Sequence, residues 1–222
     1  TFAYTVSDGT ATSTVNLVIT VTGVGPAAVN DTDTVAENGS LNRNAAAGVL
    51  DNDNDNAAKD SENLIVTEIS SDSTGNSGNA TQGVLGTYGT LTVAADGSYT
   101  YTANTAAAEA LAAGDNSQTD VFTYKMKDDN GVNEDTATLT ITIQGQDDDP
   151  VASADTGTAS EDGPQVSVIA AAGVLANDTD VDAGENLFVS AVGGNALNVG
   201  GDVTGSLGTL NLDADGSYTY IA

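Results

Sequence analysis

A repeat about as long as a whole domain constrains this chain more than any other feature. "PAAVNDTDTVAENG" (26–39) returns as "PVASADTGTASEDG" (150–163), which sets Pro26 and Pro150 124 residues apart. "GTYGTLTVAADGSYTYTA" (86–103) returns as "GSLGTLNLDADGSYTYIA" (205–222). "DVFTYKMKDDNGVNEDTATLTITIQG" (120–145) shares its order of aromatic, apolar and acidic positions with "TFAYTVSDGTATSTVNLVITVTG" (1–23). Self-similarity at a fixed spacing means tandem copies of one structural unit. The sequence therefore predicts three pieces: the C-terminal hairpin of a preceding unit at 1–24, a complete unit at 25–147, and the N-terminal strands of a following unit at 148–222. It reads as a segment of something longer.

Within a unit the hydrophobic period is 2. Leu91 and Val93 fall on one face of their strand, as do Tyr99 and Tyr101, then Phe122, Tyr124 and Met126, then Leu139, Ile141 and Ile143. Alternation of this kind marks half-buried strands. "ADG" (95–97) and "DNG" (129–131) are hairpin turns. Short strands with regular Gly/Asp turns imply an all-β sandwich. One stretch departs from the pattern. "TAAAEALAAGD" (105–115) predicts a short helix ended by Gly114 and linking two strands across the sandwich edge.

Charge narrows the function. Thirty-two acidic residues face four basic ones (Arg43, Lys59, Lys125, Lys127), a net charge of −28. Such a surface repels nucleic acid and anionic membranes and attracts cations. With no Cys and no His, thiolate sites, disulfides and the commonest general base and zinc ligand are excluded. No apolar run is long enough for a helical membrane span. Three Phe, seven Tyr and no Trp are mostly taken up by strand positions, leaving little for a sugar-binding cleft. We expect no enzyme, no nucleic-acid partner and no membrane insertion.

The repeat also duplicates an acidic turn. "GVLDNDNDN" (48–56) becomes "GVLANDTDVD" (173–182), placing Asp53 and Asp55, then Asp178, Asp180 and Asp182, at matching points. A second acidic run, Asp147, Asp148 and Asp149, joins the last two units. Carboxylates this close repel unless something neutralises them. Ca2+, which takes six to eight oxygen ligands in irregular geometry, suits them. The same residues also suit Asx turns capping backbone groups in a solvated loop. The earlier linker, "GVGP" (23–26), has no acid and is expected to bind fewer ions.

Residues 26–147, with "YGTLTVAADGSYTYTA", the Ala-rich stretch, "VFTYKMKDDNG" and "ATLTITIQGQDD", resemble the VCBS repeat of giant bacterial RTX-type surface adhesins. The resemblance implies tandem immunoglobulin-like or cadherin-like β-sandwiches, type I secretion, an extracellular surface location, and a role in adhesion or biofilm formation. A cadherin resemblance lies in "VAEN" (35–38), "DND" (53–55), "EN" (62–63), "GQDDDP" (145–150), "ASED" (159–162), "DTD" (178–180) and "ENL" (185–187). It implies calcium at unit junctions held by Glu37, Asn63, Glu161 and Asn186 together with the aspartates above. The cadherin "DRE" motif has no counterpart here. The expected function is a calcium-rigidified extender of a secreted adhesin; the alternative is a sugar- or protein-binding module of such a protein. Its expected partners are neighbouring repeats of the same chain, with head-to-tail self-association through the 1–23 hairpin.

Overall fold

The computed structural model describes residues 1–20, 25–55, 63–128 and 133–222. The fold is all-β with one short helix. β1 (Phe2–Ser7) and β2 (Thr12–Leu17) form a separate two-stranded sheet, and every residue of both strands is exposed. The next nine strands build a sandwich: β3 (Asp31–Ala36), β4 (Ser40–Arg43), β5 (Leu64–Ser71), β6 (Ser77–Asn79), β7 (Val84–Leu85), β8 (Gly89–Val93), β9 (Tyr99–Ala103), β10 (Gln118–Asp128) and β11 (Glu134–Gln144). One sheet has the order β3-β11-β10-β5-β6 and the other β4-β9-β8-β7. β3 runs parallel to β11, whereas the other neighbours are antiparallel.

The period-2 residues form the core. Leu91, Val93, Tyr99 and Tyr101 face Phe122, Tyr124, Leu139, Ile141 and Ile143, all buried in one cluster. Tyr101 meets Phe122 edge to face, with ring centroids 6.2 Å apart, the geometry that aromatic quadrupoles favour. The intervening threonines 138, 140 and 142 are half-buried on the other face. The "DNG" turn lies outside the described residues; the "ADG" turn closes through Ala94 N–H donating to Ser98 O at 2.7 Å.

One buried carboxylate ties the two sheets together. Asp120 of β10 is fully buried. It accepts the N–H groups of Thr87, Tyr88 and Gly89 at 2.7, 3.0 and 3.0 Å and the hydroxyl of Tyr101 at 2.7 Å. Four donors converge on it from the β7–β8 turn and β9, so the charge is well compensated.

The Ala-rich stretch is a shorter helix than its composition predicts: α1 is Ala106–Glu109, capped by the Thr105 hydroxyl. The chain turns at Ala110 because Leu111 is drawn into the core and its N–H bonds back to Ala108 O, three residues earlier. The stretch does link β9 to β10 across the sandwich edge.

The third unit repeats only half of this. β12 (Val166–Val168), β13 (Asp202–Thr204), β14 (Thr209–Leu212) and β15 (Tyr218–Ile221) form a sheet in the order β12-β15-β14-β13, matching β4-β9-β8-β7. Residues 155–160, aligned with β3, form no strand, and neither do 187–194, aligned with β5. In the second unit those two strands flank the β10–β11 hairpin and pair with it.

A glycine pair explains why "GVL" and "ADG" recur together. Val49 N–H donates to Gly97 O at 2.9 Å, and Val174 N–H to Gly216 O at 3.0 Å. A Cβ on Gly48 would strike the Gly97 carbonyl, and one on Gly173 would strike that of Gly216. Only glycine allows the turn to seat this closely.

Candidate metal centre

The acidic residues gather where the linker 145–150 meets the loop 178–186. Backbone bonds fix that meeting. Val151 N–H donates to Thr179 O at 2.8 Å, Thr179 N–H returns to Val151 O at 3.1 Å, and Ala183 N–H donates to Ala110 O, next to α1, at 3.1 Å. Glu37, just past β3, is fully buried and anchors the start of the linker. Its Oε1 accepts Gln146 N–H at 2.8 Å, and its own N–H donates to Gln144 O at 2.9 Å. Asp148 N–H donates to Asp182 Oδ2 at 2.9 Å, and Asp182 N–H to Asp180 Oδ1 at 3.0 Å.

Two features follow from this scaffold. One oxygen each from Asp147, Asp182 and Glu185 lie within 4.8 Å of one another. Three carboxylate oxygens, Glu37 Oε2, Asp148 Oδ2 and Asp182 Oδ1, are buried with no hydrogen-bond partner. Buried polar atoms are nearly always paired, and an unpaired one costs about 1–3 kcal/mol, more when charged. Burial raises the pKa of Glu37, with the charges of Asp148, Asp182 and Glu109 adding to it. Desolvation raises that of Glu185 likewise, followed by the charges of Asp147, Asp182 and Asp180. Two of the chain's cations are committed elsewhere, Arg43 to Asp33 and Lys125 to Glu134, each at 2.6 Å. The donors are all oxygen and the surplus charge is negative, so the residues fit a hard cation.

The other candidates stand outside the Asp147–Asp182–Glu185 trio. Asp178 accepts Ser153 N–H at 2.7 Å, which uses it as a turn cap. Asp149, Glu161 and Asn186 are exposed. Asp180 contributes its charge to Glu185 and its oxygen to Asp182 N–H. Glu185 and Glu109 were not among the residues expected from sequence. The signal for Glu185 was the shared "ENL", and for Glu109 its place as the one charge in an alanine run.

At the start of the second unit Asp53 repeats the role of Asp178, accepting Val29 N–H at 2.7 Å. Asp55 is half-buried and Asn63 is exposed. Glu62, which aligns with Glu185, lies outside the described residues, as do residues 23 and 24 of the "GVGP" linker. The Tyr124 hydroxyl reaches Val29 O, Asp31 Oδ2, Val49 O and Asp53 Oδ2 at 3.1, 3.1, 2.9 and 3.0 Å. One hydroxyl proton serves one acceptor at a time, so two carboxylates crowd it. Burial pushes Asp31 up to about 6; the Tyr124 bond opposes this and the Asp53 charge adds to it. The folded chain therefore retains a proton that the unfolded chain releases, and stability rises as pH falls from about 6 towards 3.8. In chelator, Asp31→Asn is expected to melt higher than the parent at pH 8, with the advantage gone by pH 4. An advantage unchanged across that range would remove the ionised Asp31 as its cause.

A family model, bacterial cadherin-like domain, matches residues 24–145 and again 147–222. No curated protein matches the chain.

Proposed function

Because this chain belongs to the bacterial cadherin-like domain family, we propose that it is a calcium-rigidified extender of a secreted bacterial adhesin. Domains of this family are structural and adhesive modules, typically extracellular and non-enzymatic. The observation that carries the reading is the trio of unpartnered buried oxygens on Glu37, Asp148 and Asp182 beside the Asp147–Asp182–Glu185 cluster. Glu37 belongs to the second unit, Asp182 and Glu185 to the third, and Asp147 and Asp148 to the linker between them. A cation bound there takes ligands from both sides of the joint and fixes its angle. Calcium fits better than magnesium, which keeps several waters and is usually held by only one or two carboxylates. The VCBS-like sequence of 26–147 supports placing the segment in a long RTX-type surface protein delivered by type I secretion, in service of adhesion or biofilm formation.

Small-angle scattering tests the mechanical reading. With calcium the distance distribution is expected to be that of an extended particle with one preferred joint angle. In chelator it should broaden. Asp148→Ala should give the broad distribution even with calcium. A distribution identical in calcium and chelator at matched ionic strength would refute the extender role of the ion.

A further inference from the structure

The outer face of the β3-β11-β10-β5-β6 sheet carries a polar groove of about 470 Å³ over β11, β10, β5 and β6. Strand register sets its side chains in two rows. Thr136, Lys125, Glu68 and Asn79 are successive cross-strand partners, and Thr123, Ser70 and Ser77 form the next row. Neighbours in a row stand on strands about 4.8 Å apart. Among the described residues, no protein group bonds the hydroxyls of Ser70, Ser77 and Thr136 or the side-chain amide of Asn79. The one apolar lining residue, Ile69, is buried beneath this floor.

The turn 79–82 borders the groove and is strained. Thr81 has a φ of 75°, a conformation that a β-branched residue adopts only at a cost. Four bonds hold it there. Ala80 N–H donates to Thr67 O at 3.0 Å, Thr81 N–H to Val93 O at 2.7 Å, Gln82 N–H to Asn79 O at 3.0 Å, and Asn79 N–H to Gln82 Oε1 at 2.8 Å. The last bond occupies the Gln82 oxygen and leaves its NH2 group to donate elsewhere. The third unit makes the same turn with Gly200 N–H donating to Leu212 O at 2.8 Å and Gly201 N–H to Asn198 O at 3.2 Å. Gly200 has a φ of 71°, which glycine adopts freely. The second unit therefore puts Thr81 and Gln82 where its repeat uses two glycines. Strain kept in one copy and absent from the other points to a use for the side chains.

The charge of the groove selects its occupant. Lys125 Nζ lies 2.6 Å from Glu134 and 4.0 Å from Glu68, so its ammonium is already compensated. The net charge of −28 turns acidic polymers away. With no apolar pocket open to it, a peptide side chain gains nothing here. Hydroxyls and amides both donate and accept, as the hydroxyls of a sugar do. The groove holds no aromatic ring for stacking, so recognition rests on hydrogen bonds alone.

We propose that this groove binds a neutral oligosaccharide, laid across β11, β10, β5 and β6, with Asn79 and Gln82 as its principal hydrogen-bonding side chains and Thr81 fixing the turn that presents them. The second unit then combines a spacer's joint with a contact of its own. The groove is built within one unit, so binding is independent of any cation at the joint.

Nuclear magnetic resonance titration of the full 222-residue chain in chelator tests this. The probes are the β-1,4-linked tetrasaccharides of glucose, mannose and N-acetylglucosamine, with tetragalacturonate as the acidic control. At least one neutral probe is expected to bind saturably, with amide shifts confined to 68–70, 77–82, 123–125 and 136, and the acidic one to bind at least tenfold more weakly. Asn79→Ala/Gln82→Ala should lose at least tenfold in affinity. Thr81→Gly fits the same backbone, as Gly200 does, so it folds; it should melt higher than the parent and bind more weakly. Absence of saturable binding by all three neutral probes, shifts centred elsewhere, tetragalacturonate bound as tightly, or undiminished affinity in either variant would each overturn the proposal.

Discussion

Calcium at a hundredfold excess over its dissociation constant is expected to raise the melting temperature by about 5–10 °C for each ion at the joint. Binding to the folded state alone contributes about 2.7 kcal/mol under those conditions, and each kcal/mol moves the midpoint of a chain this size by about 2–4 °C. Variants should reverse sign with the solvent. Without calcium, Glu37→Gln and Asp182→Asn remove one of several crowded charges and are expected to melt higher than the parent. With calcium they lose a ligand charge and should melt lower. This crossing is the diagnostic outcome in differential scanning calorimetry. An equal rise from sodium at matched ionic strength would reduce the effect to screening, and curves that never cross would sink the assignment of these two residues.

Asp120→Ala should be the most damaging single change in the second unit. It leaves the N–H groups of Thr87, Tyr88 and Gly89 and the Tyr101 hydroxyl without their acceptor inside a closed core. The expected loss is about 3–5 kcal/mol, a large share of the stability of an ordinary domain. Asp120→Asn keeps one carbonyl oxygen as acceptor and should lose less. Urea denaturation followed by circular dichroism measures both. Tyr101→Phe, combined with Asp120→Ala, should cost less than the sum of the two, because the partner of the hydroxyl is already gone. A loss under about 1 kcal/mol for Asp120→Ala would mean that water replaces the carboxylate and that the tie between sheets is weak.

The strands were legible because each alternates cleanly, as in Leu139, Ile141 and Ile143, and a one-residue slip would turn every such side chain outward. The helix was overread: alanine content gave its start at Thr105, but the tertiary pull on Leu111 set its end. Asp120 could not be singled out from sequence. Nothing in "QTDVF" distinguishes a buried acid from the exposed ones around it until the β7–β8 turn closes over it. The sequence showed two acidic runs, 147–149 and 178–182, and the structure brings Asp147 and Asp148 of the first to Asp182 of the second. The details of that meeting were not legible. In "DTDVD" the spacing does not say which carboxylate turns inward. Asp178 is drawn to Ser153 N–H, and Asp182 is left facing the linker. Glu185 joins them through a loop whose path the sequence does not reveal.

The parallel pairing of β3 with β11 bears on how the second unit carries load. Six successive residues of each strand lie side by side, from Asp31 against Leu139 to Ala36 against Gln144. One strand lies near where the chain enters the unit and the other near where it leaves. A pull on the two ends therefore drags them past each other lengthwise, in shear. All the bonds of the ladder resist together, whereas a hairpin pulled from its open end would yield one bond after another. Forced unfolding is governed by the barrier and not by equilibrium stability. A tether built of such units would hold under flow by breaking strength, whatever its melting point.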